Sequence, residues 1–398
     1  MGARSIGLFG ILTLSFLAAL GPIVTDFYLA ALPEVARYFG AGGHLAAASL
    51  TMGMAGLAAG QIVIGPLSDR FGRKPLLLFS MALFVLSSLL ILFSQNIYAF
   101  NALRFVQGFA GAGGIVLSKS VSADLYSGED LLKFMALLGA VNAVAPVGAP
   151  VLGGALLSFT DWRGIFEVIL AAGAALFAAS FFLKESLPAG NREKGSLLRA
   201  YLGLFSVFKE KRFSLAAASS FGAFFTFFAY IAASPFILQD LYGLSPFAFS
   251  VIFGINALII GMGSALSALF KHANTALKAG AIQFVCASVA VAACLIASRP
   301  LPALVASYFW MNFAFGLMQP PAASIAMDAG RKTAGAAGAV FGALQFAAGS
   351  ASGTLAAMGS IRLTSGAVIL AGSLFCLAVT LPLCASIKNE ALSKKTGL

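Results

Sequence analysis

Charged residues are scarce in this chain. Asp, Glu, Lys and Arg make up only 10% of its 398 residues, whereas an ordinary soluble domain carries about 25%. So few charges cannot cover a water-facing surface of this size, and the composition therefore excludes soluble enzymes and disordered scaffolds. The net charge of +11 would suggest nucleic acid in a soluble protein, but no soluble segment alternates basic clusters with aromatic residues. Nucleic acid is excluded as a partner.

Cysteine and histidine, the residues most often found in metal and catalytic sites, are also few. The four cysteines lie inside apolar runs without CxxC spacing, and we interpret them as small packing residues. His44 and His272 are predicted to lie in loops, with no catalytic cluster around them. The sequence therefore offers no site for enzyme chemistry and predicts no metal or cofactor.

Long apolar runs take up most of the chain. Apolar residues form 60% of the sequence, which is about 240 residues, and a membrane-spanning helix needs about 20. This ratio predicts about twelve spans, the first beginning at Ile6 without the cleavage pattern of a secretory signal. The predicted apolar segments are residues 6–31, 45–67, 76–94, 98–122, 132–157, 164–183, 213–238, 246–270, 275–298, 302–327, 334–359 and 363–387.

The longest polar interval divides these segments into six and six. It runs from Lys184 to Arg212 and carries seven basic and three acidic residues. Two six-helix halves are the layout of many secondary transporters. We therefore expect an all-α integral membrane fold, with twelve transmembrane helices in two bundles around a central cavity. The predicted domains are an N-terminal bundle at 1–183, a cytoplasmic linker at 184–212 and a C-terminal bundle with a short cytoplasmic tail at 213–398.

The distribution of Lys and Arg predicts the orientation. With a cytoplasmic N-terminus and alternating spans, twenty basic residues fall on the cytoplasmic side, four fall outside, and Arg104 lies within a span. Positive residues concentrate on the cytoplasmic side of membrane proteins. The tally therefore predicts that both termini and the linker are cytoplasmic.

The loop between the second and third spans has a specific pattern. It begins at Gly65 and reads GPLSDRFGRKP, which places one carboxylate and three cations on a tight glycine turn. The string resembles motif A of the major facilitator superfamily, whose loop latches the two halves together on the cytoplasmic side. The resemblance implies that Asp69 faces the N-terminal dipole of a helix in the second half, and that Arg70 or Arg73 pairs with Asp124. The implied gate residues are Gly65, Asp69, Arg70, Gly72, Arg73, Lys74 and Asp124.

Two further strings resemble the same superfamily. The fourth span opens with LRFVQG at 103–108, which is similar to motif B. The fifth span resembles motif C, the antiporter signature, except that Ala149 replaces a glycine. Its prolines and glycines predict a kinked helix with a flat face for close packing, and a generic kinked membrane helix is the alternative. The matching residues are Gly139, Pro146, Gly148, Pro150, Gly153 and Gly154.

The end of the first span narrows the resemblance. Residues 25–33 read TDFYLAALP, which resembles the TDMYLPALP string of the bicyclomycin/chloramphenicol-resistance exporters, the Bcr/CflA subfamily. Ala30 and Ala123 depart from the subfamily pattern. The resemblance covers the first half of the chain. It implies a monomer in the bacterial inner membrane that exports drug-like compounds in exchange for protons, driven by the proton gradient without a cofactor.

Asp26 and Arg104 are ionisable residues that we predict to lie inside spans. Such groups cost at least about 2.5–3.5 kcal/mol near the bilayer centre and are functional candidates for that reason. A rise of 1.5 Å per residue places both residues roughly 10 Å below the outer surface. A carboxylate buried near a cation changes its protonation when the pair separates or water enters. We therefore predict that the pair couples transport to protons, with a structural salt bridge as the alternative.

The predicted spans of the second half contain no charged residue except Lys278, which lies near the cytoplasmic end of the segment 275–298. Neutral polar and aromatic groups suit amphiphilic, aromatic or weakly polar compounds better than sugars or multiply charged metabolites. Each polar group could instead form an interhelical hydrogen bond. The candidate substrate contacts are Tyr28, Gln107, Asn142, Tyr230, Asn256, Asn312 and Gln345.

The predicted function is proton-coupled efflux of small amphiphilic compounds across the cytoplasmic membrane. A proton-coupled uptake symporter of a small neutral solute is the first alternative, because cavity composition does not set the direction of transport. A channel or an integral membrane enzyme is the alternative from another class. An enzyme would need a His, Asp or Cys cluster near one interface, and the sequence shows none.

Overall fold

A computed structural model describes residues 7–126, 128–331 and 334–396 of the chain. Within these ranges every regular element is a helix. In a bilayer the backbone must satisfy its hydrogen bonds internally, and an α-helix does so within one segment. A helix lies at each of the twelve segments predicted from hydropathy.

The first half begins with a broken span. Two helical segments, Gly7–Ala18 and Leu20–Tyr38, meet at an angle of 45°, and the second of them is itself interrupted by a turn and a short 3-10 helix at Leu29–Ala31. The helices of this half are α1 (Gly7–Ala18), α2 (Leu20–Thr25), α3 (Leu32–Tyr38), α4 (Gly43–Phe71), α5 (Arg73–Leu92), α6 (Ile97–Leu125), α7 (Gly128–Leu156) and α8 (Trp162–Phe182).

The linker and the second half are also helical. A short helix, α9 (Leu197–Leu204), lies in the linker, and a π-helical turn at Phe236–Leu241 extends the helix that precedes it. The remaining helices are α10 (Lys211–Pro235), α11 (Pro246–Ser267), α12 (Ala273–Ile296), α13 (Leu301–Ala329), α14 (Ala334–Ala356) and α15 (Ile361–Thr396).

Eight of the described helices are long and apolar enough to cross a membrane, and the bent first segment makes nine. Helices α6, α7 and α14 do not meet the same hydropathy test over their described residues. In α6 the reason is plain, because Arg104, Gln107 and Lys119 lower its mean hydropathy. The chain is thus an all-helical membrane protein.

The chain divides into two compact units. Unit 1 consists of Met1–Leu202 and Leu244–Gly254, and unit 2 consists of Gly203–Gly243 and Ile255–Leu398. Helix α11 therefore begins in unit 1 and continues in unit 2.

Glycines allow two helices of unit 1 to touch backbone to backbone. A methyl group at Gly108 of α6 would overlap the carbonyl oxygen of Gly53 on α4, and one at Gly56 would overlap that of Phe105. Small residues permit this close approach between membrane helices. The motif B string therefore supplies two features, the surface on which α4 packs and the side chain of Arg104.

The same kind of contact recurs in unit 2, between α11 and α13. A methyl group at Gly316 would overlap the carbonyl oxygen of Ile260, and one at Gly263 would overlap that of Phe313. These glycines lie in the eighth and tenth predicted spans, which occupy the same places in the second half as α4 and α6 do in the first. The two units thus use the same packing device, as expected of internal repeats.

Candidate functional site

Asp26 lies at the break in the first span, directly after α2. Its backbone N–H donates to the carbonyl oxygen of Pro22 at 2.7 Å. Its carboxylate accepts a hydrogen bond of 2.7 Å from Oγ1 of Thr25, and the residue is only 7% exposed. The carboxylate is therefore buried inside unit 1, at a point where the helix has unwound.

Arg104 is fully buried on α6. Its guanidinium group donates one hydrogen bond to the carbonyl oxygen of Val24 and another to Oε1 of Gln107. The guanidinium carbon lies 4.2 Å from the ring centroid of Tyr28 and 5.6 Å from that of Phe166. These are hydrogen-bond and cation–π contacts, and they fix the arginine to the broken end of the first span.

The two predicted members of the proton-coupling pair lie in the same region but do not form an ion pair among the described residues. Arg104 binds the carbonyl oxygen of Val24, two residues before Asp26. Gly53 makes room for it, because a methyl group there would lie 3.1 Å from Nη2 of the arginine. In this conformation the cation stabilises the backbone beside the carboxylate, and the role of the pair in proton coupling stays a prediction.

The motif A loop is organised around Arg73, the first residue of α5. Its side chain reaches Oδ1 of Asp69 at 2.5 Å, Oδ2 of Asp124 at 3.0 Å and Oγ of Ser68 at 2.6 Å. Gly72, just before it, has a φ of +102°, a conformation that residues with a Cβ rarely adopt. Of the two arginines considered from the sequence, it is therefore Arg73 that contacts Asp124.

A linker residue that the sequence patterns did not single out completes this network. Glu185 accepts hydrogen bonds from the backbone N–H groups of Arg73 at 3.0 Å and Lys74 at 3.3 Å. The first N–H groups of a helix have no partner within it, and a carboxylate there also meets the positive end of the helix dipole. Glu185 therefore caps α5, and the only sequence signal was an acid placed just after the sixth span.

The linker also contacts the other side of the loop. The backbone N–H of Glu193 donates to the carbonyl oxygen of Asp69 at 2.9 Å, and Nη1 of Arg70 lies 3.4 Å from the carbonyl oxygen of Gly195. Lys74 donates from Nζ to the carbonyl oxygen of Phe181 at 2.7 Å. The three cations of the loop thus have different partners.

Two motif glycines differ in how closely they are packed. At Gly65 an added methyl would meet only a side-chain carbon of Val116, at an ordinary distance of 3.8 Å. At Gly72 it would lie 2.5 Å from Oε2 of Glu185. The nearby atoms at position 72 are the ends of the flexible side chains of Glu185 and Arg192, which can move aside, so it is the φ of +102° and not space that requires glycine there. At position 65 space does not require glycine.

The motif C residues lie on α7, which contains Pro146 and Pro150. A methyl group at Gly153 would overlap the carbonyl oxygen of Phe27, next to Asp26, and one at Gly154 would overlap Oγ of Ser250 on α11. Gly148 has open space around it. The end of α7 therefore packs directly on the break in the first span. At Gly139 and Asn142 only the helical backbone falls within the described structure.

The substrate candidates of unit 1 surround Arg104. Tyr28 stacks on its guanidinium group and exchanges a hydrogen bond of 3.0 Å with Oγ of Ser49. Gln107 accepts from Arg104 and donates from Nε2 to Oγ of Ser88 at 2.7 Å. Both residues are fully buried, so in this conformation they support the arginine.

The candidates of unit 2 form two separate clusters. Nδ2 of Asn312 donates to Oδ1 of Asn256 at 2.7 Å, and both amides are buried. The ring of Tyr230 lies near this pair on α10. The second cluster joins α14 to α10, where Nε2 of Gln345 donates to Oγ of Ser220 at 3.4 Å. The amides therefore serve partly as interhelical hydrogen bonds, which was the alternative considered for each of them.

A shared helical face connects the two clusters. Ser220, Phe224, Phe227 and Tyr230 follow one another at three- and four-residue spacing on α10, as Tyr308, Asn312, Phe315 and Gln319 do on α13. The rings of Phe227 and Phe315 stack with centroids 4.4 Å apart, and those of Tyr230 and Tyr308 are 4.7 Å apart. Along α10 and α13, unit 2 thus has a polar layer at Ser220 and Gln319, then an aromatic layer of phenylalanines, then a second polar layer at Tyr230 and Asn312.

Two residues of this face were missed from the sequence. Gln319 accepts a hydrogen bond of 3.2 Å from Ser220, while its Nε2 is buried without a partner among the described residues. The hydroxyl of Tyr308 is buried and has no hydrogen-bond partner in that part of the chain either. Their spacing from Asn312 along α13 was the signal that could have identified them.

Known proteins resemble the chain along most of its length. The family model of the Major Facilitator Superfamily matches residues 14–357. An uncharacterized MFS-type transporter of Bacillus subtilis, YdgK, is 37% identical over 85% of each chain. A bicyclomycin resistance protein homolog of Haemophilus influenzae is 31% identical over 90% of this chain and 91% of that protein.

Solved structures show the same fold. The nucleoside transporter NupG superposes with a TM-score of 0.69 at 13% identity, covering 94% of this chain and 99% of the other. At this identity the likeness concerns the fold alone, so the family rests on the sequence matches. Together with the motifs, those matches lead to one conclusion: the chain belongs to the major facilitator superfamily and is a membrane transporter, not an enzyme.

Proposed function

We propose that the chain exports small amphiphilic compounds in exchange for protons, by alternating access through twelve spans with cytoplasmic termini. The membrane is the bacterial inner membrane. The similarity to the bicyclomycin resistance protein homolog of Haemophilus influenzae supports export of drug-like compounds. The observation that carries the proposal is the buried carboxylate of Asp26 at the break in the first span.

In the proposed cycle, Asp26 takes up a proton on the outer side and releases it on the inner side. A titratable group can do this only if a change of conformation alters its surroundings. The break between α2 and the 3-10 turn is suited to such a change, because the backbone there is not held by a continuous helical ladder. Arg104 is the fixed point of the movement, since it binds the carbonyl oxygen of Val24 just before the break.

The proposed gate is the motif A loop with Asp124. Arg73 pairs with the carboxylates of Asp69 and Asp124, and Glu185 in the linker holds the backbone at the start of α5. A loop fixed at both its carboxylates and its helix start can move as one body when the cytoplasmic side opens. Asp69→Asn is expected to reduce transport while leaving substrate binding in place, because the side chain of Asp69 is half exposed and substrate is not expected to touch it.

The proposed substrate contacts are neutral. The helix pair α10 and α13 offers amides, hydroxyls and stacked rings, and these groups bind a flat apolar compound with a few polar atoms better than a multiply charged one. We propose that conformational change frees some of these groups from their present partners.

The experiment that tests this function is substrate-induced proton release from the purified protein, combined with transport into inverted vesicles. Asp26→Asn, which mimics the protonated carboxylate, should abolish both proton release and proton-driven accumulation while retaining substrate binding. Asp26→Glu, which keeps a titrating group, should retain part of the activity.

Asp161→Asn is a suitable control, because it removes the charge of an exposed carboxylate before α8, and asparagine can still accept the hydrogen bond from the backbone N–H of Arg163. Normal proton release by Asp26→Asn would mean that another residue carries the proton. Accumulation in right-side-out vesicles, driven by an inward proton gradient, would establish the uptake symporter instead.

A further inference from the structure

A cavity of about 510 Å³ lies within unit 2, where α10 and α12 begin, α13 ends and α15 passes. Arg212 at the start of α10, Ser324 and Asp328 near the end of α13, and Ile387 on α15 all line it. Arg331, which follows α13, also contributes to the wall. Its lining includes neither Asp26, nor a residue of the motif A loop, nor a proposed substrate contact.

The cavity lies at the level where the spanning segments end. Arg212 is the second residue of the apolar span Lys211–Leu241, and Ile387 is the last residue of the span Ile361–Ile387. The charge tally predicts that these ends are cytoplasmic. At this depth the hydrocarbon of the bilayer gives way to phospholipid headgroups, which in the cytoplasmic leaflet include anionic ones.

The charges of the cavity favour an anion. Arg212 and Arg331 both line the cavity, and among the described lining residues the one acid, Asp328, pairs with Arg331 at 2.6 Å. Arg331 remains 82% exposed in this pair, so the remaining donors of its guanidinium group are accessible.

The start of α12 supplies backbone donors at the same place. Ala273 lines the cavity and is the first residue of this 24-residue helix. His272, its N-cap residue, makes no side-chain cap, and the first backbone bonds to its carbonyl come from Thr275 and Ala276. The N–H groups of Ala273 and Asn274 precede these bonds, so they have no acceptor within the helix and lie at the positive end of its dipole, which favours an anion.

We propose that this cavity binds the phosphate of an anionic phospholipid such as phosphatidylglycerol. Arg212, Arg331 and the start of α12 hold the phosphate, and the apolar side chains of Ile325 and Ile387 contact the lipid chain. A free phosphate ion would use the cations but gain nothing from the apolar wall, which is why the lipid is the better match. The proposal does not depend on the transported substrate.

The test is lipid binding to the purified full chain, measured by native mass spectrometry from micelles with added phosphatidylglycerol, phosphatidylcholine or inorganic phosphate. Phosphatidylglycerol should bind preferentially, and R212Q/R331Q should weaken its binding by about fivefold for each arginine removed. The matched control is K194Q/K209Q, which removes two exposed cations of the linker that do not line the cavity.

Three results would overturn the proposal. Equal binding of phosphatidylcholine would show that charge is not recognised, and equal loss in the control variant would show that only net charge matters. Binding of inorganic phosphate as tight as that of the lipid would show a site for free anions. None of these results bears on proton release by Asp26, so the two proposals fail independently.

Discussion

At the scale of single residues, the working parts of the chain are a few polar groups buried in an apolar protein. Burying a charge is costly unless it finds partners, and Arg104 meets this cost with a backbone carbonyl, an amide and two aromatic faces. Among the described residues, Asp26 has one neutral side-chain donor, the hydroxyl of Thr25. This difference favours an arginine that keeps its contacts during transport and a carboxylate whose surroundings and protonation change.

Arg104→Lys should therefore not be a conservative change. Lysine keeps the charge but cannot donate to Val24 and Gln107 in a fixed fork while stacking on Tyr28. We expect both Arg104→Lys and Arg104→Ala to lower transport, and Arg104→Ala to destabilise the protein by about 1–3 kcal/mol because a buried carbonyl loses its donor. Thermal unfolding in detergent measures this effect.

Arg362→Ala is the comparison for this prediction. Arg362 donates to the hydroxyl of Ser298 in an exposed position. Its loss should leave the melting temperature almost unchanged. Equal melting of the Arg104 and Arg362 variants would contradict the anchoring role of Arg104.

At the scale of helices, close contacts and helix ends decide the arrangement. Glu185 connects the linker to the start of α5, and Gly153 places α7 against the broken end of the first span. Each contact lies between segments distant in sequence, and each depends on one residue type. Both can be tested with a neighbour in the same segment as the control.

Glu185→Gln should weaken the cap of α5. The amide keeps an acceptor but loses the charge that meets the helix dipole, an effect of about 0.3–1 kcal/mol for a partly exposed group. We expect a lower melting temperature and reduced transport. Glu193→Gln is the control, since the Glu193 side chain accepts only from the nearby backbone of Gly195 in the described structure. Similar behaviour of the two variants would rule out a special role for the cap.

Gly153→Ala and Gly148→Ala should differ sharply although both lie on α7. The first substitution forces a methyl onto the carbonyl oxygen of Phe27, and such overpacking costs about 1–3 kcal/mol. The second places a methyl in open space and removes a flexible glycine from a helix, so stability should stay the same or rise. Thermal unfolding and transport assays of both variants would show whether the motif C match acts through packing at this contact.

At the scale of the whole molecule, the distribution of charge sets the orientation. Twenty basic residues are predicted on one side of the membrane and four on the other. Arg4 and Lys332 lie outside the described residues, and they are counted because the tally uses the sequence alone. Cations are retained on the cytoplasmic side during insertion, so one wrong span would reverse the later loops.

A reporter enzyme inserted in the linker or fused after the last residue should therefore be active only in the cytoplasm. The linker insertion belongs between Arg192 and the start of α9, away from the cap at Glu185. A fusion after Gly359, between α14 and α15, should report the periplasm. A periplasmic signal from the linker would mean that the first half has an odd number of spans.

The sequence by itself determined the class, the helical segments and the family. Composition excludes a soluble protein, because hydropathy is a sum over residues and does not depend on contacts. The motif strings are local as well, and the family match across residues 14–357 agrees with them. Asp26, Arg104 and the motif A charges were identified in this way, since a charge in an apolar run is visible without a structure.

Only the tertiary structure decided which of these groups touch. It places Arg104 on the carbonyl of Val24, not on Asp26, and it brings Glu185 to α5 across more than 100 residues of sequence. It also shows that Asn256 and Asn312 bind each other. Partners of this kind come from different helices, and their contact depends on how those helices cross. That crossing is set by glycines such as Gly53 and Gly108, which carry no side chain to indicate what they pack against.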